Sequence, residues 1–113
     1  VNSAAKYYYT FNGKSSVPLT IRLILGRGWG QGPTHSQNLH AWFAHIPGLK
    51  VIIPTSAADA KGMLIAAIED NSPVIFIEHR WLHNLVGKVE LILVVSKLPV
   101  KSTLVILPSK SAT

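Results

Sequence analysis

Four of the chain's eight glycines stand at alternate positions in Gly26-Arg27-Gly28-Trp29-Gly30-Gln31-Gly32, and Pro33-Thr34-His35-Ser36-Gln37 follows at once. Each glycine loses more backbone entropy on folding than another residue would, so such a stretch is poorly suited to a helix or strand interior. Close approach of backbone to another group is the use that fits it. The loop also delivers a histidine, the side chain that titrates nearest neutral pH, to the point where a helix is predicted to begin.

Around this loop, strand-like and helix-like segments alternate. Val17 to Leu25 is a β-rich apolar run broken by Arg22, the pattern of a strand buried on both faces. Leu39, Trp42 and Phe43 stand at i, i+3, i+4 before Pro47-Gly48, which predicts a helix from Ser36 to His45 with Ser36 as its cap. Val51-Ile52-Ile53 reads as a short buried strand stopped by Pro54. Ser56 with Asp59 makes a capping-box-like start to a helix that carries Ala57, Ala60, Leu64, Ala67 and Ile68 on one stripe and ends near Asn71. Val74 to Ile77 is the third strand. This order predicts an α/β fold with a partial parallel sheet, right-handed crossovers, helices on both faces and a β-prone tail. In the tail, Leu91 to Val95 and Thr103 to Leu107 either pair with each other or belong to a neighbouring domain.

Composition narrows the function. Charged residues make up 14% of the 113 residues against 48% apolar ones, so the chain is expected to meet other protein over much of its surface. The net charge of +6 would attract polyanions, but the basic residues are scattered singly and none cluster to follow a phosphate backbone, which argues against nucleic acid. No apolar run approaches the roughly 20 residues of a membrane span, and the start lacks the features of a signal peptide and an initiator Met. A piece of a longer protein is the expectation. Without cysteine, neither disulfides nor thiolate metal sites are available.

Most chemical constellations reduce to ordinary readings. His35, His40 and His45 recur every five residues and would point in different directions on a helix, so they are not a ligand set. His79 and His83 have helical i, i+4 spacing but follow a strand and lack the carboxylate of a zinc-protease motif, and read as surface or interface histidines. The glycine spacing matches neither the dinucleotide fingerprint nor the phosphate loop. For His35, a structural and a catalytic role fit the spacing equally.

The stretch from Pro18 to Asn84 carries more than spacing. With Gly26-Arg27-Gly28-Trp29-Gly30-Gln31-Gly32-Pro33-Thr34-His35-Ser36-Gln37, then Trp42-Phe43-Ala44-His45-Ile46-Pro47-Gly48-Leu49-Lys50-Val51, Asp59-Ala60-Lys61-Gly62 and Glu69-Asp70-Asn71-Ser72-Pro73-Val74-Ile75, it resembles the beta subunit of thiamine-diphosphate-dependent 2-oxo acid dehydrogenases of the pyruvate, branched-chain or acetoin type. Residues 2–6 are similar to the helix that the family places before the first of these strands. Transketolase-like relatives share the pyrimidine-binding fold.

The resemblance implies roles position by position. The family histidine of His-Ser-Gln falls on His35, which would line the channel above the thiazolium ring and assist acyl transfer to a lipoyl group; an imidazole can give a proton to a forming thiolate. A structural potassium ion would be held by main-chain oxygens of Leu19, Ala67, Ile68, Asp70 and Ser72, where helix-end carbonyls are electron-rich. The cofactor would be thiamine diphosphate. Its diphosphate and magnesium would be held by a partner alpha subunit, and the activating glutamate would lie outside this chain. A lipoyl acyltransferase and an α2β2 assembly are the further partners implied, in the bacterial cytoplasm or the mitochondrial matrix.

The resemblance divides the chain into residues 1–84, the C-terminal part of the pyrimidine-binding domain, a linker over 85–102, and the start of the C-terminal domain over 103–113. Beyond Gly87 the match loosens, and Leu23-Ile24-Leu25 departs from the small residue and proline usual in relatives. By itself the piece would be inert. Two other readings stand beside this one: a non-catalytic subunit-interaction domain, which an intact upstream glutamate would exclude, and transketolase-type ketol transfer, which calls for phosphosugar-binding residues in no recognisable pattern here.

Overall fold

A computed structural model describes residues 1–89 and 104–106. Its elements are helix α1 (Asn2–Thr10), strand β1 (Thr20–Leu25), a 3-10 turn (Pro33–His35), helix α2 (His40–Ala44), strand β2 (Lys50–Ile53), helix α3 (Ala57–Glu69), strand β3 (Val74–His79), a second 3-10 turn (Arg80–Asn84) and strand β4 (Leu104–Ile106). The strands form one parallel sheet in the order β1-β3-β2-β4. Crossovers through α2 and α3 are what parallel pairing requires, because a tight hairpin cannot return a strand in the same direction. Of the expected tail strands, Leu91 to Val95 lies outside the described residues. Leu104–Ile106 lies in this sheet, paired with Val51, Ile52 and Ile53.

Alternation along the central strands separates two packed layers. Val51, Ile75 and Ile77 face α1 and α2, packing with Ala5, Leu25 and Leu49, while Ile52, Val74 and Phe76 face Met63 and Ala67 of α3. Helices therefore cover both faces, as the sequence pattern implied. Strand β3 carries the core: flanked by β1 and β2, its first four residues are buried without exception.

Three expectations are corrected. Strand β1 is not buried on both faces, since Ile21 and Ile24 are exposed by 39% and 54%; among the described residues the strand pairs only with β3, at the sheet edge. The stripe of α3 is rotated, with Gly62, Met63, Ala66 and Ala67 inward and Ile68 exposed, because small side chains let the helix lie close on the sheet. No continuous helix runs from Ser36 to His45. Ser36 closes the first 3-10 turn, its N–H donating to the Pro33 carbonyl and its hydroxyl to that of Gly32, so the side chain expected to open a helix is spent ending a turn.

A candidate active-site cavity beyond strands β1 and β3

In a parallel sheet the loops after the strand C-termini are where ligands are usually held. Here β1 ends at Leu25 and β3 at His79, paired residues of one register, so the glycine loop and the Arg80–Asn84 turn leave the sheet side by side. Gly26 begins the loop with a φ of 81° and donates its N–H to the Gln37 carbonyl at 2.9 Å, which returns the chain to its starting point. A Cβ on Gly26 would overlap the His79 imidazole, so this position needs glycine for space as well as for φ.

The loop is strapped to the turn by aromatic faces. The Arg80 guanidinium lies 5.3 Å from the Trp29 ring centroid, Arg27 lies 5.6 Å from that of Trp81, and Trp29 and His83 rings stand 6.0 Å apart. Trp29 holds a left-handed φ of 59°, unfavourable for a bulky residue, and these contacts hold it there.

His35 is exposed and stands at the mouth of a cavity of about 320 Å³. Leu23, Leu25, Leu39, Phe43 and Ile77 give this cavity apolar walls, and Thr34, Gln37 and Arg80 add polar groups. Among the described residues no carboxylate lines it. Mostly apolar walls with a few converging polar groups are the ordinary make-up of a small-molecule site. A second cavity of about 290 Å³ opens beyond β2 and β3, lined by Pro54, Ser56, Glu78, His79 and His83 among others. There Glu78 joins Arg22 at 2.6 Å and His83 Nε2 at 3.2 Å, and His79 Nδ1 accepts the Trp81 N–H at 3.3 Å.

The residues expected to supply carbonyls to a cation gather at the opposite end of the strands. Thr20 donates its hydroxyl to the Ala67 carbonyl at 2.8 Å, which seats the end of α3 against the start of β1, and the Leu19 carbonyl accepts the Val74 N–H at 2.8 Å. The Asp70 N–H also points to the Ala67 carbonyl at 3.4 Å, while Asp70 Oδ1 accepts the Ser72 N–H at 2.7 Å. Lys50 forms a buried ion pair with Asp70. Burial by itself would raise the Asp70 pKa, but the Lys50 hydrogen bond, the Ser72 N–H and the Lys50 charge together outweigh it and leave the carboxyl below its ordinary value.

The family model for "Transketolase, pyrimidine binding domain" matches residues 1–84, which include both strands and loops that frame the His35 cavity. The chain belongs to this family. It is 47% identical over 89 residues to the acetoin:2,6-dichlorophenolindophenol oxidoreductase subunit beta of Bacillus subtilis, covering 79% of this chain and 26% of that protein. Against the Cupriavidus necator protein of the same name it is 51% identical over 88 residues, covering 78% and 26%. With the mitochondrial pyruvate dehydrogenase E1 component subunit beta of Caenorhabditis elegans it shares 51% identity over 84 residues, covering 74% and 24%. The chain thus spans about a quarter of the length of these curated relatives.

Within this pyrimidine-binding domain, His35, expected from the sequence, and Arg80, a buried cation that the sequence did not single out, line the same cavity. The available signal was Arg80-Trp81 directly after a buried strand, facing Arg27 and Trp29 of the glycine loop. Among the described residues no helix is long and apolar enough to cross a membrane.

Proposed function

We propose that this pyrimidine-binding domain serves the beta subunit of a thiamine-diphosphate-dependent 2-oxo acid dehydrogenase, which decarboxylates a 2-oxo acid and passes the acyl group to a lipoyl group on an acyltransferase. The observation that carries the reading is His35 at the mouth of an apolar cavity beyond the strand ends, within a stretch about half identical to beta subunits named for acetoin and pyruvate. The apolar walls suit a heteroaromatic ring, and thiamine diphosphate when bound would supply the carbanion chemistry. The glutamate that activates the cofactor would lie outside this chain. The alpha subunit carries the diphosphate and its magnesium in an α2β2 assembly, in the bacterial cytoplasm or the mitochondrial matrix. The family match spans residues 1–84.

His35 is exposed and lines the cavity, so a long arm from outside can reach it, while Leu25 and Ile77 line the cavity as buried residues. As one lipoyl sulfur bonds to the acyl carbon and the S–S bond opens, the His35 ring would give a proton to the sulfur that leaves, and solvent would restore it. A potassium ion held by the carbonyls of Leu19, Ala67, Ile68, Asp70 and Ser72 would brace the turn after α3. Ala67 already serves two donors and Leu19 one, so the ion would share these oxygens with the protein. Melting the assembled protein in potassium against sodium salt reads this directly.

The reading is tested by His35→Gln in the intact subunit assembled with its partner. Reductive acylation should slow by about 100-fold or more, a typical general-acid contribution, while decarboxylation read with an artificial electron acceptor falls much less. Equal losses in the two half-reactions would remove the role assigned to His35.

A further inference from the structure

Arg80 is 7% exposed, lies at the end of the central strand, and has no carboxylate partner among the described residues, where Glu78 is taken by Arg22 and His83 and Asp70 by Lys50. Its Nε is buried with no hydrogen-bond acceptor. A guanidinium stays charged at every physiological pH, so it cannot relieve burial by losing a proton as lysine would. The Trp29 ring covers it at 5.3 Å, which satisfies the π face of a cation but accepts none of its in-plane N–H bonds. Gly28 lies against the stem of the side chain, where an added Cβ would come within 3.2 Å of Arg80 Cγ and Cδ, so the loop is glycine where the arginine passes. Beyond Trp29 and Gly28, Arg80 borders the cavity that it shares with His35, the space from which an acceptor can reach the guanidinium.

We propose that Arg80 is the carboxylate anchor of this cavity, a specificity-determining residue whose guanidinium fork holds the carboxylate of the 2-oxo acid while His35 stands at the mouth; this rests on the function proposed above. The planar fork matches a carboxylate through two parallel N–H···O bonds, and apolar walls of Leu25, Phe43 and Ile77 strengthen such a pair by excluding water. The contact is made before the carboxylate departs as carbon dioxide, so it governs capture of the acid rather than the later acyl transfer. A neutral donor such as acetoin has nothing for the fork to hold. Arg80 would therefore favour an acid over an uncharged hydroxyketone, a choice that matters in a chain similar to beta subunits named for both.

The test compares Arg80→Gln and Arg80→Lys with the parent in the assembled enzyme, using pyruvate as the acid and acetoin as the neutral donor, together with equilibrium binding of pyruvate. Losing a charge-assisted bidentate pair should raise KM and Kd for pyruvate by about 10-fold to 100-fold, with kcat falling less than KM rises. Arg80→Lys, which keeps the charge but not the fork, should fall between, and it carries the test if the glutamine variant does not assemble. Any effect on acetoin should be less than a tenth of that on pyruvate. An unchanged pyruvate KM and Kd, or equal losses for both donors, overturns the anchor. A parent enzyme that turns over no 2-oxo acid yet binds pyruvate through Arg80 would overturn the proposed function and leave the anchor standing; a parent that binds none would overturn both.

Discussion

Lys50, at the first position of β2, and Asp70, in the turn after α3, form an ion pair in which both side chains are about nine-tenths buried. The pair ties the start of one central strand to the turn that launches the next, and Lys50 and Val74 are register partners across it. Removing one partner strands the other charge in a poorly solvated corner, which is costlier than removing both. Lys50→Met should lower stability by about 3 kcal/mol, Asp70→Asn by about 2 kcal/mol because Ser72 N–H keeps an acceptor, and the double variant by less than the sum. Denaturant melts of the intact subunit measure all three. The pH dependence follows from the depressed Asp70 pKa. A lowered folded pKa means stability that is complete above the ordinary aspartate value of about 3.9 and is lost as pH falls through the folded value. Asp70→Asn should flatten that acid slope and leave stability at pH 8 offset but parallel.

Gly48 turns the chain into β2 with a φ of 98°, and a Cβ there would overlap the Ala5 backbone carbonyl. Backbone cannot rotate away as a side chain would, and α1 is further fixed by Lys6 Nζ donating to the Pro47 carbonyl at 2.7 Å. Gly48→Ala should therefore cost roughly 3 kcal/mol, through strain plus displacement of α1 from the Leu49 and Val51 side of the sheet. Gly30→Ala is the control. It has a similar positive φ of 65° but nothing within 4 Å, so only the left-handed backbone costs, about 1 kcal/mol.

Ser56 caps α3 by accepting the Asp59 N–H at 3.1 Å, and its hydroxyl donates to Asp59 Oδ2 at 2.7 Å. Ser56→Ala should destabilise by about 1 kcal/mol, read as a lower midpoint at unchanged denaturant slope.

That cap was legible because its signal is local: a serine, an acid three residues on, then apolar periodicity. The strand runs were legible for the same reason, since β-branched residues in a buried parallel strand leave little else for Val51 to Ile53 or Val74 to Ile77 to be. Ser36 misled because its hydroxyl had two local outlets, a helix N-terminus or the Gly32 carbonyl, and only the return of Gln37 to Gly26 decides between them. The exposure of Ile21 and Ile24 was likewise hidden, since hydrophobicity along β1 does not say whether a strand has one neighbour or two. His35 could be picked out by the loop that carries it. Arg80 could not, because a cation one step beyond a strand looks solvent-bound until the fold lays Trp29 across it.

Gly26 and His79 are a further pair whose contact the sequence does not announce, and His79 lines the cavity beyond β2 and β3. The Gly26 hydrogen atoms leave room for the His79 ring, whose Nδ1 accepts the Trp81 N–H and so holds the turn that presents Arg80. Gly26→Ala pushes on the far end of that ring, which can rotate, so the fold should survive with a loss of about 1–2 kcal/mol. The rotation should release the turn and with it the placement of Arg80 and Trp29. Activity of the assembled enzyme should fall at least 10-fold, well beyond what Gly30→Ala causes, although both lie in the same loop. Matched activities for the two variants at similar melting temperatures would mean that the His79 contact does not position the cavity.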